Sequence, residues 1–157
     1  MIDIATLKQL NLARTYTLGR LKQSKEEAWD TKPAGFNNTI RWNAGHIFVS
    51  METLVQKALA NYTPVNPEWI PLFVTGSSPE GWEGNVPSNE ELLAALKAQP
   101  ARVMAALEGN LGNTLAEPMS IGPIHTMETA EAVVQFAVWH EGIHAGIIDG
   151  LNRVTGE

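Results

Sequence analysis

The segment from about Met127 to Arg153 constrains the fold more than any other part of the chain. Val133, Phe136, Ala137, His140, His144, Ile147 and Leu151 recur at helical spacing. They give one long helix with a broad apolar face, opened by Thr126 as N-cap. Such a face has to be covered by other elements. Two imidazoles inside it add a second condition. His140 and His144 are four residues apart, so they stand one above the other on the same side of the helix. Whatever covers them must also partner them, because a buried imidazole without a partner is costly.

Three further segments carry the same period. The first runs from about Asp3 to Ala28, with Asp3 as N-cap and Leu7, Leu10, Leu18 and Leu21 on one face. The Asp30–Gly35 stretch, with Pro33, ends it. The second runs from about Asn38 to Asn61, capped by Asn37 or Asn38, with Ile40, Ala44, Ile47, Met51, Leu54 and Ala58 as its stripe. The third runs from about Ser88 to Gly109. Ser88-Asn89-Glu90-Glu91 reads as a capping box, and Leu92, Leu96, Val103 and Leu107 face the core. Pro100 lies inside this segment, removes a backbone donor and predicts a kink.

No segment alternates with period two, so the fold class read from the sequence is all-α. Four long amphipathic segments predict a four-helix bundle in a single domain spanning 1–157. The connection from Tyr62 to Pro87 carries five prolines, three glycines and two tryptophans. Its length predicts a crossover between helices 2 and 3 lying parallel to each other. Trp69, Ile70, Leu72, Phe73 and Trp82 predict that it packs over one end of the bundle, its aromatics acting as anchors, with a substrate-contacting lid as the alternative.

Composition removes several function classes. The chain has no cysteine, so disulfides, thiolate nucleophiles and cysteine-bound zinc are excluded, and any metal is held by nitrogen and oxygen. The net charge is -6, without a Lys/Arg cluster, which argues against nucleic acid. No apolar run approaches the roughly 20 residues that span a bilayer. The N-terminus has no basic region followed by an apolar block. A cytoplasmic protein is the expectation.

Helix 2 supplies a third inward imidazole. His46 interrupts the apolar face between Ala44 and Ile47. One histidine on such a face is more often a hydrogen-bonded core residue. Three from two facing helices suggest a metal site with open coordination positions. Imidazole alone does not choose among Zn²⁺, Ni²⁺, Cu²⁺ and Fe²⁺. His140-Glu141-Gly142-Ile143-His144 also spells the zinc-protease string, but only 13 residues follow His144 and none is a histidine. Glu141 lies about 100° round the helix from His140 and is expected to face away from a metal. His125 precedes the last helix in a Gly-Pro loop and is expected to be exposed.

The segments Trp42-Asn43-Ala44-Gly45-His46 and His140-Glu141-Gly142-Ile143-His144-Ala145-Gly146 resemble the two motifs of DinB/YfiT-like proteins. The resemblance extends over essentially the whole chain, helix order and long connection included. It implies a four-helix bundle and a divalent-metal site, zinc or nickel, with His46, His140 and His144 as ligands. It also implies a homodimer and a small-molecule substrate. Some members of the family are transferases or isomerases that use a low-molecular-weight thiol: bacillithiol, mycothiol or glutathione. Ile147-Ile148-Asp149 stands where many members carry Gln or Arg, so no particular substrate is carried over.

The function expected is therefore metal-assisted, thiol-dependent S-transfer with an exogenous thiol. A non-catalytic metal-binding module and a metal-dependent hydrolase are the alternatives. Trp42, Asn43, Arg14 and Tyr16 are candidates to line a substrate pocket, with a packing or solvated role as the alternative for each. The sequence singles out no acid/base dyad.

Overall fold

The computed structural model describes residues 4–156. Its long helices are α1 (Ile4–Gln23) and α2 (Ile40–Ala58). A one-turn helix α3 (Ile70–Phe73) follows, then α4 (Asn89–Leu107) and α5 (Ala130–Thr155). A hairpin of β1 (Thr114–Ile121) and β2 (His125–Thr129) precedes α5. Asp3, the expected first N-cap, lies outside the described residues.

The long helices follow the predicted period, with shifted ends. α1 stops at Gln23, and a separate 3-10 turn, Glu26–Ala28, carries the chain to the buried Trp29. Thr39, rather than Asn37 or Asn38, caps α2 by accepting from the Trp42 amide at 3.1 Å. Ser88 and Glu91 form the expected capping box on α4.

The hairpin corrects the all-α expectation. It is antiparallel, with Met119 opposite Met127 and Ile121 opposite His125, and its register shifts between Thr114 and Met119. Pro118 falls in the irregular stretch and has no amide to donate. Gly122 makes the turn at φ +48. Because β2 runs to Thr129, α5 starts later than expected. Thr129, not Thr126, caps it through the Ala132 amide. His125 is exposed, on a strand rather than in a loop.

α5 packs on α1 and α2, and α4 packs on the same two. Cross-helix bonds give the directions. Arg14–Glu141, Arg20–Asp149 and Ser24–Asn152 advance together, so α1 and α5 are parallel. Asn43–His144 and His46–His140 run oppositely, so α2 and α5 are antiparallel. Gln99 bonds Phe48 and Arg102 bonds Glu52, so α2 and α4 are parallel, as the long connection requires. That connection packs through Phe73, fully buried, and through Trp69 against Phe48. Its start is held by Glu52, 0% exposed, which accepts from the Tyr62 hydroxyl and the Val65 amide at 2.8 Å each. Among the described residues no helix is long and apolar enough to cross a membrane.

Pro100 leaves α4 continuous. A proline at this position deprives the carbonyl four residues earlier, that of Leu96, of its helical donor. The Arg14 guanidinium fills the gap, donating to Leu96 O at 2.8 Å. Arg14 and Glu141 are 1% and 2% exposed. They form a two-pronged ion pair, Nε to Oε1 at 2.7 Å and Nη2 to Oε2 at 3.2 Å. Thr17 adds a hydroxyl to Oε1 at 2.9 Å. Removing one partner from such a pair strands a buried charge, whereas replacing both with apolar residues does not. Arg14→Ala is expected to lower stability in urea by about 3–5 kcal/mol. The Arg14→Met/Glu141→Leu double variant should recover most of that loss.

Candidate metal centre

His46 comes from the second turn of α2, and His140 and His144 from adjacent turns of α5. One coordinating atom from each lies within 4.8 Å of the others. His46 Nε2 and His140 Nε2 are 3.1 Å apart. The ring centroids of His144 are 4.4 Å from His46 and 4.6 Å from His140. Three imidazoles bound to one zinc at about 2.0–2.1 Å need comparably close nitrogens.

Two rings are oriented by fixed acceptors. His46 Nδ1 donates to the Phe73 carbonyl at 2.7 Å, which leaves Nε2 as its lone-pair nitrogen. Asn43 donates its amide to Thr39 O at 2.8 Å, so its Oδ1 faces His144 as an acceptor. His144 Nδ1 donates to it at 2.8 Å. His144 Nε2 is thereby free to ligate. Fixing the far nitrogen of a ligating histidine is the usual role of groups behind a metal site.

The helix 2 motif explains itself residue by residue. Trp42 stacks on His46, centroids 4.5 Å apart and planes 13° from parallel, and its Nε1 donates to Ser77 Oγ at 2.9 Å. Gly45 admits the crossover: a Cβ there would sit 2.3 Å from the Phe73 ring. Without that close approach, the Phe73 carbonyl could not reach His46.

Burial also sets the protonation of the cluster. Desolvation lowers the His46 pKa, with the Phe73 hydrogen bond opposing it. Desolvation, then repulsion from His46, brings His140 to about 4. Desolvation, then repulsion from His46 and His140, brings His144 to about 3. At neutral pH all three are neutral bases, the form a metal binds.

Beside His46 and His140 opens a cavity of about 280 Å³. Val49, Ile70, Val74, Met119, Ile121 and Phe136 supply most of its wall, with the hydroxyl residues Ser50, Thr53 and Thr75. Ser50 Oγ lies 3.4 Å from His46 Nε2.

None of the four candidates for a substrate pocket, Trp42, Asn43, Arg14 and Tyr16, lines this cavity. Trp42 and Asn43 touch the histidines from behind and do not line the cavity. Arg14 is committed to Glu141 and Leu96, on the α1–α4 side of α5. Tyr16 is half exposed on α1, under the Arg20 guanidinium. Neither Arg14 nor Tyr16 reaches the cavity. Glu141 points away from the histidines, as its place on the helix requires, but into the buried ion pair. Apart from His46 and His140, the cavity residues carry little individual signal in the sequence. Ser50 and Thr53 follow His46 at helical spacing, a faint signal. Val74, Met119 and Ile121 carry none, because the crossover and the hairpin bring them in.

The family model of the DinB superfamily matches residues 9–148. The chain belongs to the DinB superfamily. The match takes in both histidine motifs and the whole crossover. No curated protein matches the chain.

Two outcomes follow from this geometry. Asn43→Ala removes the acceptor behind His144 and is expected to weaken Zn²⁺ affinity by about 10–100-fold, read by chelator competition. Acidification should destabilise the metal-free protein. The folded pKa values lie below the unfolded value of 6.5, so the unfolded chain binds more protons below pH 6.5. The stabilisation is complete above that pH and is lost as pH falls toward about 3. Melting temperatures measured in chelator between pH 7 and 4 should fall, and less steeply in His140→Gln.

Proposed function

We propose that this protein binds a divalent metal, zinc or nickel, through His46, His140 and His144. The metal would serve the transfer of a low-molecular-weight thiol to a small-molecule substrate. The observation that carries the reading is the cluster itself: three imidazoles with their ligand atoms within 4.8 Å of one another, two with Nδ1 tied to fixed acceptors, beside an open cavity. The donor set fits the group, since all three ligand atoms are nitrogen and need not lose a proton at neutral pH. A metal held there supplies Lewis acidity, which makes a nucleophile of a thiol or a water at neutral pH.

The chain's own contribution is orientation. Phe73 O and Asn43 hold the His46 and His144 rings, Trp42 stacks on His46, and the walls of the cavity seat the substrate. Ser50 is placed to hydrogen-bond a ligand beside His46.

A metal-dependent hydrolase is the second reading. Among the described residues the cavity wall carries no lysine or arginine, so no side chain on it pairs with the carboxylates of an anionic thiol, whereas water needs no such partner. The protein is further read as a single-domain, cytoplasmic homodimer without nucleic-acid partners. Trp139, 61% exposed, and Ile143 on α5 offer apolar surface to a second copy.

The decisive measurement is elemental analysis of protein purified without chelator. One equivalent of zinc or nickel is expected, and its loss in His46→Ala. Stoichiometric metal in neither protein would overturn the reading. With metal bound, turnover of electrophiles only when thiol is added supports the transferase. Turnover in water alone supports the hydrolase.

A further inference from the structure

The cavity differs from the rest of the protein surface in a way that restricts its occupant. Twelve of the described residues line it, and among them only His46 and His140 can carry a charge: the others are aliphatic, aromatic, thioether or hydroxyl side chains. It holds about 280 Å³, at the lower edge of the roughly 300–1,000 Å³ of drug-sized sites. The groove on the other side of Met119 is the contrast. It holds about 940 Å³ and is lined by Lys57, Glu117, Asn61, Asn110 and Asn113 among others. Polar and charged ligands have a place to bind on this molecule, but it is not beside the histidines.

Desolvating a carboxylate without a partner is costly. An apolar body gains instead from the same wall, about 25 cal/mol for each Å² removed from water. We infer that the cavity binds the apolar body of a small uncharged ligand, carrying a single donor atom directed at the histidine cluster. Carboxylate-bearing thiols of the glutathione type do not fit it. The ligand enters past Val74 and Thr75, with Phe136 and Met119 against its body and the Ser50 and Thr53 hydroxyls beside its polar end. This inference rests on the metal reading for the donor atom, but not for the apolar body.

Two measurements separate those parts. In the first, the Co²⁺-loaded protein is titrated with benzyl mercaptan and with glutathione, and the cobalt absorption bands are followed. Benzyl mercaptan is expected to bind at least about tenfold more tightly, roughly 1.4 kcal/mol. Val74→Arg places a cation at the exposed rim of the cavity, where Val74 is 45% exposed. It should reverse or erase the preference while Co²⁺ uptake stays unchanged. Glutathione binding as tightly as benzyl mercaptan to the unmodified protein would overturn the inference.

In the second, metal-free protein is titrated with benzyl alcohol, and the Met119 methyl and Phe136 ring signals are followed by NMR. Both should shift, and Thr53→Phe, which fills the cavity, should abolish the shifts. Unmoved signals would overturn the inference even in a protein that binds Co²⁺. Shifted signals in a protein that takes up no Co²⁺ would instead sink the metal reading and leave the apolar site standing.

Discussion

The Arg14–Glu141 ion pair sets the arrangement on which everything else rests. It joins α1 to α5, and through Leu96 O it joins both to α4 at the carbonyl that Pro100 leaves without a helical donor. Its effect on the site is rotational. Glu141 must face the α1–α4 side to meet Arg14 and Thr17. A neighbouring residue on a helix points about 100° away, so His140 faces α2, and His144, one turn on, faces it too. The pair thus aims both histidines without touching either. A buried ion pair is weak evidence of stability in itself. Here its consequence is that α5 has one favourable rotation about its axis.

The crossover completes what the rotation begins. Phe73 packs against Gly45 and offers its carbonyl to His46, while Trp69 anchors the same segment on Phe48 and Trp82 closes it on itself through Leu72 O. Anchoring and ligand orientation are one event, since the carbonyl that holds His46 belongs to the residue whose ring fills the core. Asn43 does for His144 what Phe73 does for His46, from within α2 itself. The resulting cluster is buried enough to stay neutral and open on one side to a cavity of small, apolar character. That combination suits binding a metal and a modest ligand together.

Much of this was readable in advance, and the remainder failed for identifiable reasons. The long helices were legible because a 3.6-residue apolar period over five or more turns has few alternative meanings. The three histidines were legible because imidazoles on apolar faces demand a shared partner. The hairpin was not: Pro118 and the register shift leave Thr114–Ile121 without clean alternation. Missing it displaced the α5 cap from Thr129 to Thr126. For Arg14 the sequence leaves a pocket role and a packing role both open, because its partners are distant in the chain. Its true partners, Glu141 and Leu96 O, lie 127 and 82 residues away.

Local chemistry in the chain settles which segments are helical, which faces are apolar and which three side chains can act as ligands, because those properties depend on neighbours a few residues apart. The direction of the ligands, the tautomers of His46 and His144, and the cavity beside them depend on contacts between distant segments. Glu141 meets Arg14, Phe73 meets Gly45, and Met119 and Ile121 arrive on a hairpin with no strong local signal. Such contacts exist only once the helices have packed, so rotation about a helix axis and the carbonyl behind a ring are properties of the assembled fold.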